Sequence, residues 1–236
     1  MKISILNLAP LRQGQNFKDA IDSMVKLAKK ADELGYERYW IAEHHNTKSV
    51  ASSATQLLIQ RTLDNTKNIR VGSGGVMLPN HSPYIVAEQY GTLETLYPGR
   101  VDLGIGRAPG TDSDTAALIY RTQYVRTSKF VEAIKDIQRF MGSEEEQGIV
   151  SAYPGINTNV TIFMLGSSIH SASVSGELGL PYSFAGHFSP DAAEEAIKIY
   201  RDSFVPSKYL EKPYVILGVL AHGADSNEEA ERLYTT

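Results

Sequence analysis

Glu43-His44-His45-Asn46 places a carboxylate and two adjacent imidazoles just past a short apolar run, Tyr39–Ala42. A histidine at a strand end can act as a general base or hydrogen-bond a reactive oxygen, because its pKa lies near working pH. The alternative is a satisfied structural histidine. A metal site would need further ligands at consistent spacing, and His44-His45 is not a His-x-x-x-His helix pair. Farther along, the apolar run Ile69–Val76 contains the adjacent glycines Gly74 and Gly75, where backbone can approach a flat molecule closely. The run Val101–Ile105 leads through Gly106 to Arg107, a fixed positive charge at the mouth of an otherwise apolar strand. Leu165-Gly166-Ser167-Ser168-Ile169-His170-Ser171 lies where another apolar run turns into a helix. Free N–H groups at a helix start, the helix dipole and three serine hydroxyls make a phosphate cradle there. Ordinary N-capping by Ser167 or Ser168 is the competing explanation. The lysine of a P-loop is missing, which argues against a nucleoside triphosphate. A phosphate or ring carbonyl would also suit Arg107.

These groups need strands to carry them. Ile3–Leu8 reads as strand one. Phe17–Leu34 reads as a helix with Ala20, Ile21, Met24, Leu27, Ala28, Ala31 and Leu34 on one face, stopped by Gly35. Tyr39–Ala42, Ile69–Val76 and Val101–Ile105 are strands two to four. Ser52–Leu63 is a helix, and Ser82-Pro83 opens another. A long helical region spans Thr115 to Met141, and Gly142–Asn159 is polar and irregular. Thr161–Leu165, Pro181–Ala185 and Tyr214–Leu220 are strands five to seven. Ser167–Leu178 and a segment opened by Ser189-Pro190 are the helices between them, and Ser226-x-x-Glu229 is a capping box for a last helix. Glu88 and Glu94 are expected to face solvent, Glu144–Glu146 to be a solvated loop, and Trp40 to be core. His187 and His222 are ambiguous.

Continuous apolar strands alternating with helices imply a parallel sheet buried on both faces. An open doubly wound sheet and a (β/α)8 barrel both fit. Ligand-facing residues at many strand ends favour the barrel, and Gly104-Ile-Gly106-Arg-Ala-Pro-Gly110 is no Rossmann fingerprint. A single β/α barrel domain over residues 1–236 is expected. Only seven strands are found, so the chain reads as a TIM barrel short of its last strand, as in a fragment.

Composition narrows the function. Apolar residues make up 42% of the 236, enough for a sizeable core, and the formal net charge is −4 with no basic run, so nucleic acid is not an expected partner. With no cysteine, disulfides, thiolate metal sites and a cysteine nucleophile are excluded. The apolar N-terminal stretch is too short for a signal peptide, and no run reaches membrane-spanning length. A soluble, cytoplasmic protein is expected.

Trp40-Ile-Ala-Glu-His-His-Asn46, Val71-Gly-Ser-Gly-Gly-Val-Met-Leu-Pro79 with His81 and Pro83, Pro98-Gly-Arg-Val-Asp-Leu-Gly-Ile-Gly-Arg-Ala-Pro-Gly110 and Met164-Leu-Gly-Ser-Ser-Ile-His-Ser-Ala172 followed by Glu177-Leu-Gly-Leu-Pro181 together resemble the bacterial luciferase-like flavin monooxygenase family. The resemblance runs from strand one to strand seven. It implies a (β/α)8 barrel that binds reduced FMN at its C-terminal face and inserts one oxygen from O2 into a small organic substrate through a C4a-peroxyflavin. It carries to His44 a role at the flavin–oxygen centre and to Gly74-Gly75 a bulge, often a non-proline cis peptide, under the flavin ring. Arg107 matches a phosphate- or ring-contacting arginine. Ser168 and Ser171, with Gly166 and Ser167 beside them, match the phosphate holders. Where luciferase proper has a reactive cysteine, this chain has Gly106, so light emission is not implied and the ring has more room. A separate flavin reductase and a homodimer are the partners the resemblance implies. A deazaflavin-dependent hydride-transfer enzyme on the same barrel and a flavin-binding protein without turnover are the rival readings. The loops Ala108–Thr115 and Gly142–Asn159 are expected to shape the substrate pocket.

Overall fold

Short runs of apolar residues become parallel strands when helices cover both of their faces. The computed structural model describes residues 1–120 and 129–234. Among them the elements are β1 (Ser4–Asn7), α1 (Phe17–Glu33), β2 (Arg38–Ile41), α2 (Thr55–Asp64), β3 (Arg70–Met77), α3 (Pro83–Leu96), β4 (Val101–Gly106), α4 (Ser113–Tyr120), α5 (Phe130–Met141), β5 (Thr161–Gly166), α6 (Ile169–Glu177), β6 (Tyr182–Phe184), α7 (Ala193–Asp202), β7 (Val215–Leu217) and α8 (Asn227–Tyr234). The chain divides into two compact units, Met1–Leu165 and Gly166–Thr236.

In the first unit, β1 to β5 pair in chain order, each parallel to the next. The register runs Asn7, Ile41, Ser73, Leu103, Ile162 straight across the sheet. The C-terminal ends of β2, β3 and β4 therefore share one edge. Every residue of β2 and of β4 is buried. Between Ser73 and Val76 the pairing with β4 slips by a residue, and the Gly74–Gly75 peptide in this bulge is cis. Close strand approach forbids a side chain on the neighbouring strand: a Cβ on Gly104 would lie 2.1 Å from the Ser73 carbonyl oxygen. α1 starts at a capping box, Asn16 accepting from the Asp19 amide and Asp19 from the Asn16 amide. It buries Ala20, Met24, Val25, Ala28 and Ala31. The apolar stripe is narrower than the sequence pattern suggests, since Leu27 at its margin and Leu34 at the C-cap are exposed.

The N-terminal ends of the strands carry a charge cluster that reading Val101–Ile105 as apolar overlooked. Asp102 is fully buried. Its carboxylate accepts from Trp40 Nε1 at 3.1 Å and from Arg70 Nε and Nη2 at 2.8 and 2.6 Å. Arg38 Nε approaches it to 3.0 Å off the N–H axis, as an ion pair rather than a directed hydrogen bond. A buried carboxylate survives only with such partners.

In the second unit β6 pairs parallel with β7, Tyr182 opposite Val215. The buried Tyr200 hydroxyl of α7 donates to the Leu180 carbonyl and accepts the Tyr214 amide, tying α7 to both strands.

Several boundaries differ from the sequence expectation. The helix expected from Ser52 begins at Thr55, because the Thr55 hydroxyl turns back to the Ala42 and Ser52 carbonyls. Pro190–Ala192 is a 3-10 turn before α7. Of the long helix expected over Thr115–Met141, α4 and α5 are observed and residues 121–128 lie outside the described residues. Glu94 is half-buried and accepts the Gly99 amide at 2.5 Å rather than facing solvent.

Candidate functional site

β2 ends at Ile41, and the next residues bring the acid and imidazoles to the shared C-terminal edge. Glu43 is only 1% exposed. Its carboxylate lies 3.0 Å from His45 Nε2 and 2.9 and 3.0 Å from His81 Nε2. It also accepts from Asn80 Nδ2 at 3.1 Å and from the Met77 amide at 3.2 Å. Burial alone would raise its pKa. The bonds from His81, His45 and Asn80 outweigh burial and hold it below the usual carboxylate range. An ionised carboxylate only accepts, so both rings present Nε2–H to it. In the sequence this acid stands beside the imidazoles with no role assigned to it. The available signal was an acid directly after a fully buried strand, two positions from one histidine.

His44 is half-buried, and its Nδ1 is sealed from solvent without a hydrogen-bond partner among the described residues. Burial, then the neighbouring His45, push its pKa below 6.5, with Glu43 pulling the other way. The imidazole is therefore neutral at working pH. His44 borders a cleft of about 730 Å³ walled by Phe17, Ile21, Val50, Leu57 and Leu58 from α1, α2 and the loop before α2.

The glycines expected to face a ring are closely packed by protein. A Cβ on Gly74 would stand 2.7 Å from Leu6 Cδ1, and one on Gly75 2.8 Å from the Gly104 carbonyl oxygen. At Gly106 it would meet Met77 Cε at 3.0 Å, so part of the room expected there is taken by Met77. Arg107 is exposed just past β4 and makes no hydrogen bond or ion pair among the described residues. The loop after it is tied to the end of β2. The His45 amide donates to the Gly110 carbonyl at 3.1 Å, the Thr111 hydroxyl to the His45 carbonyl at 3.3 Å, and Asn46 Nδ2 to Asp112 at 2.9 Å. Gly110 has φ +66, and a Cβ there would press on the Glu43 carbonyl oxygen at 2.8 Å.

In the second unit Ser168 is the N-cap of α6, its hydroxyl accepting the Ser171 amide at 3.4 Å. The Ser171 hydroxyl donates to the Ser168 carbonyl at 2.7 Å and meets the Tyr182 hydroxyl at 3.0 Å. Capping thus occupies these two serines. A Cβ on Gly166 would overlap Ser171 Oγ, which keeps that position bare. Ser167 is exposed with no hydrogen bond from its hydroxyl among the described residues. The His187 ring meets Phe188 at 4.3 Å, tilted by 48°, and the His222 ring meets Tyr234 at 5.2 Å. Among the described residues no cluster of three or more histidine or acidic residues could hold a metal, and no helix is long and apolar enough to cross a membrane.

Comparison with known proteins gives these groups a family. The chain is 57% identical over 228 residues to the uncharacterized protein YddN of Bacillus subtilis (strain 168), covering 97% of this chain and 67% of that one. It is 44% identical to a luciferase-like monooxygenase of Escherichia coli (strain K12), covering 99% and 70%. It is 33% identical to the N-acetyl-S-alkylcysteine monooxygenase of Bacillus subtilis (strain 168), covering 98% and 70%. The crystal structure of apo-MsnO8 superposes with a TM-score of 0.95 at 35% identity, over all of this chain and 70% of that one. At 20% identity and TM-score 0.78, over 100% of this chain and 71% of that one, the oxygenating constituent of 3,6-diketocamphane monooxygenase from Pseudomonas putida in complex with FMN shares the fold. So does an F420-dependent secondary alcohol dehydrogenase, at 19% and 0.62 over 86% and 64%. The parallel strands are therefore those of the luciferase-like TIM-barrel type. The model described as luciferase-like monooxygenase matches residues 1–236, and with these relatives it shows that this chain belongs to the luciferase-like monooxygenase family.

Proposed function

We propose that this chain, on one β/α barrel domain, takes reduced FMN at the C-terminal strand ends and, with O2, puts one oxygen atom into a small organic substrate. The observation that carries this reading is the pairing of a neutral, half-buried His44 after β2, its Nδ1 unpartnered among the described residues, with an uncommitted Arg107 after β4, on the same C-terminal edge of one unit.

The residues expected to hold a flavin phosphate keep exposed, unspent groups within each unit: Arg107 in the first, and in the second the Ser167 hydroxyl and the first amides of α6, which a helix leaves unpaired. Ser168 holds the turn that aims those amides, and Ser171 braces it through Tyr182. The bulge at Gly74-Gly75 supplies side-chain-free backbone within β3, just before Val76 and Met77.

Reduced FMN, when bound, supplies the oxygen activation, and the protein supplies position and field. Arg107 offers a permanent positive charge to the phosphate or a ring carbonyl. His44, neutral at working pH, can hold a proton at Nδ1 or give up the one on its other nitrogen. The cleft beside His44, open to solvent and largely apolar in its walls, offers room for an organic substrate. Reduced FMN comes from a separate reductase, and the enzyme works as a homodimer in the cytoplasm.

The 33% identical relative is named for an N-acetyl-S-alkylcysteine, so a thioether of that class is the first substrate to test. Reduced FMN, O2 and the thioether are mixed with the chain, and sulfoxide is measured against hydrogen peroxide. The proposal expects sulfoxide from wild type and a shift toward peroxide in His44→Ala. Peroxide alone, at the rate of free reduced FMN, argues against it. The F420-dependent neighbour supports a second reading, hydride transfer to a deazaflavin, and binding of F420 in preference to FMN would favour that one.

A further inference from the structure

Glu43 is a buried acid that the proposed chemistry does not use, and its partners come from the end of β2, the end of β3 and the turn after β3. His45 follows β2, Met77 ends β3, and Asn80 and His81 lie in the turn between β3 and α3. Tyr90 of α3 and Tyr120 of α4 also feel its charge. Asn80 Nδ2 reaches both the Glu43 carboxylate at 3.1 Å and the Pro109 carbonyl at 2.9 Å. That single amide links the acid to the loop that follows Arg107. The His45 backbone then holds the same loop at Gly110 and Thr111.

We propose that Glu43 is the positioning residue of the site: its carboxylate fixes the His45 and His81 rings with a proton on Nε2 and, through Asn80, holds the loop after Arg107 against the end of β2. The reasoning is one of satisfaction. A carboxylate so deeply buried must find donors for its lone pairs. Each ring can meet that demand only with Nε2–H, which leaves its Nδ1 as the acceptor when the ring is neutral. The tautomers are therefore chosen by the acid. The positions of His44 and Arg107 follow, because His44 lies between Glu43 and His45, and Arg107 lies two residues before Pro109. This deepens the flavin reading, yet its test needs no flavin, so the two can fail separately.

The test uses the full, ligand-free chain. Nitrogen-15 NMR of the imidazoles reads the tautomers of His45 and His81, each assigned by its loss in His45→Gln or His81→Gln. Wild type is expected to show a proton on Nε2 in both rings. An Nε2 without a proton in either ring overturns the proposal. Glu43→Gln can offer one carbonyl oxygen but adds an N–H donor, so at least one ring is expected to change tautomer. Both rings unchanged in Glu43→Gln also overturns it. Hydrogen exchange of the His45 amide, which is bonded to Gly110, reads the loop. Asn80→Ala leaves the carboxylate in place and cuts only the Asn80 link. It is expected to speed this exchange about tenfold, the loss of one hydrogen bond, while the Ala28 amide of α1 is unchanged. If Glu43→Gln does not fold, the wild-type spectrum and Asn80→Ala still decide. Unchanged exchange at His45 in Asn80→Ala refutes the loop half of the proposal.

Discussion

Replacing Asp102 by asparagine removes one charge and no volume from the cluster at the N-terminal strand ends. Two guanidinium groups then lose the carboxylate they share, and the new amide NH2 points a donor at donors. Truncating one partner of a buried ion pair costs about 3–5 kcal/mol, mostly as uncompensated charge. The lower end applies here. Arg70 keeps 26% of its side chain in solvent and still donates to the Gly99 and Val101 carbonyls. Arg38, 10% exposed, keeps Glu37 at 3.3 Å. With a urea slope of roughly 2–3 kcal/mol per molar for a domain of this size, about 3 kcal/mol lowers the unfolding midpoint by about 1–1.5 M. Urea unfolding followed by Trp40 fluorescence reads this directly, since Trp40 donates to Asp102. Because the penalty comes from the orphaned cations, adding Arg38→Met and Arg70→Met to Asp102→Leu should return much of the loss. Reduced-FMN affinity per folded molecule should not move, the cluster lying at the opposite strand ends from His44 and Arg107. A midpoint shift under about 0.3 M would refute the reasoning, as that corresponds to less than 1 kcal/mol.

Other changes test the remaining parts of the account. Arg107→Ala should weaken reduced FMN by about 10- to 100-fold, the value of a charge-assisted hydrogen bond, while leaving the urea midpoint in place because Arg107 has no partner to lose among the described residues. Gly104→Ala pushes a methyl against the Ser73 carbonyl and should cost about 3 kcal/mol or prevent folding, seen as loss of soluble protein. Asn16→Ala removes the cap of α1 and should lower stability by about 1 kcal/mol in the same urea assay. Acid should penalise the wild type through His44. Its folded pKa lies below 6.5, from burial first and His45 second, so as pH falls through 6.5 the unfolded chain takes up the proton before the folded one. Stability relative to His44→Gln is therefore full above that pH and declines below it. Equal urea midpoints for the difference at neutral pH and at about pH 5.5 would exclude the shift.

Strand order was legible because buried parallel strands leave continuous apolar runs, and β2 and β4 are buried at every position. Two caps were legible too, Ser168 accepting from the Ser171 amide and Ser226 from the Glu229 amide, whereas Ser82 stands at the N-cap before Pro83 without a hydrogen bond between its hydroxyl and the helix. Interactions between distant charges were not. Asp102 sits inside an apolar run, and only the register reveals Arg38 and Arg70 standing opposite each other at the starts of β2 and β3. The role of Glu43 hid for the same reason, its partner His81 being 38 residues away. The serines show the converse limit. Capping and phosphate binding ask for the same residue types, and the geometry of Ser168 and Ser171 accounts for them as cap and brace. Ser167 is left as the serine hydroxyl free to meet a ligand.

The central claim is a reduced-flavin site that depends on the C-terminal strand ends. It is tested most directly by titrating the chain with FMN, reduced FMN and F420 under nitrogen, in wild type, Arg107→Ala and Ser167→Ala. The account predicts that reduced FMN binds best, that both substitutions weaken it, and that F420 binds more weakly. Equal affinity for both FMN redox states, indifferent to Arg107→Ala, would contradict it.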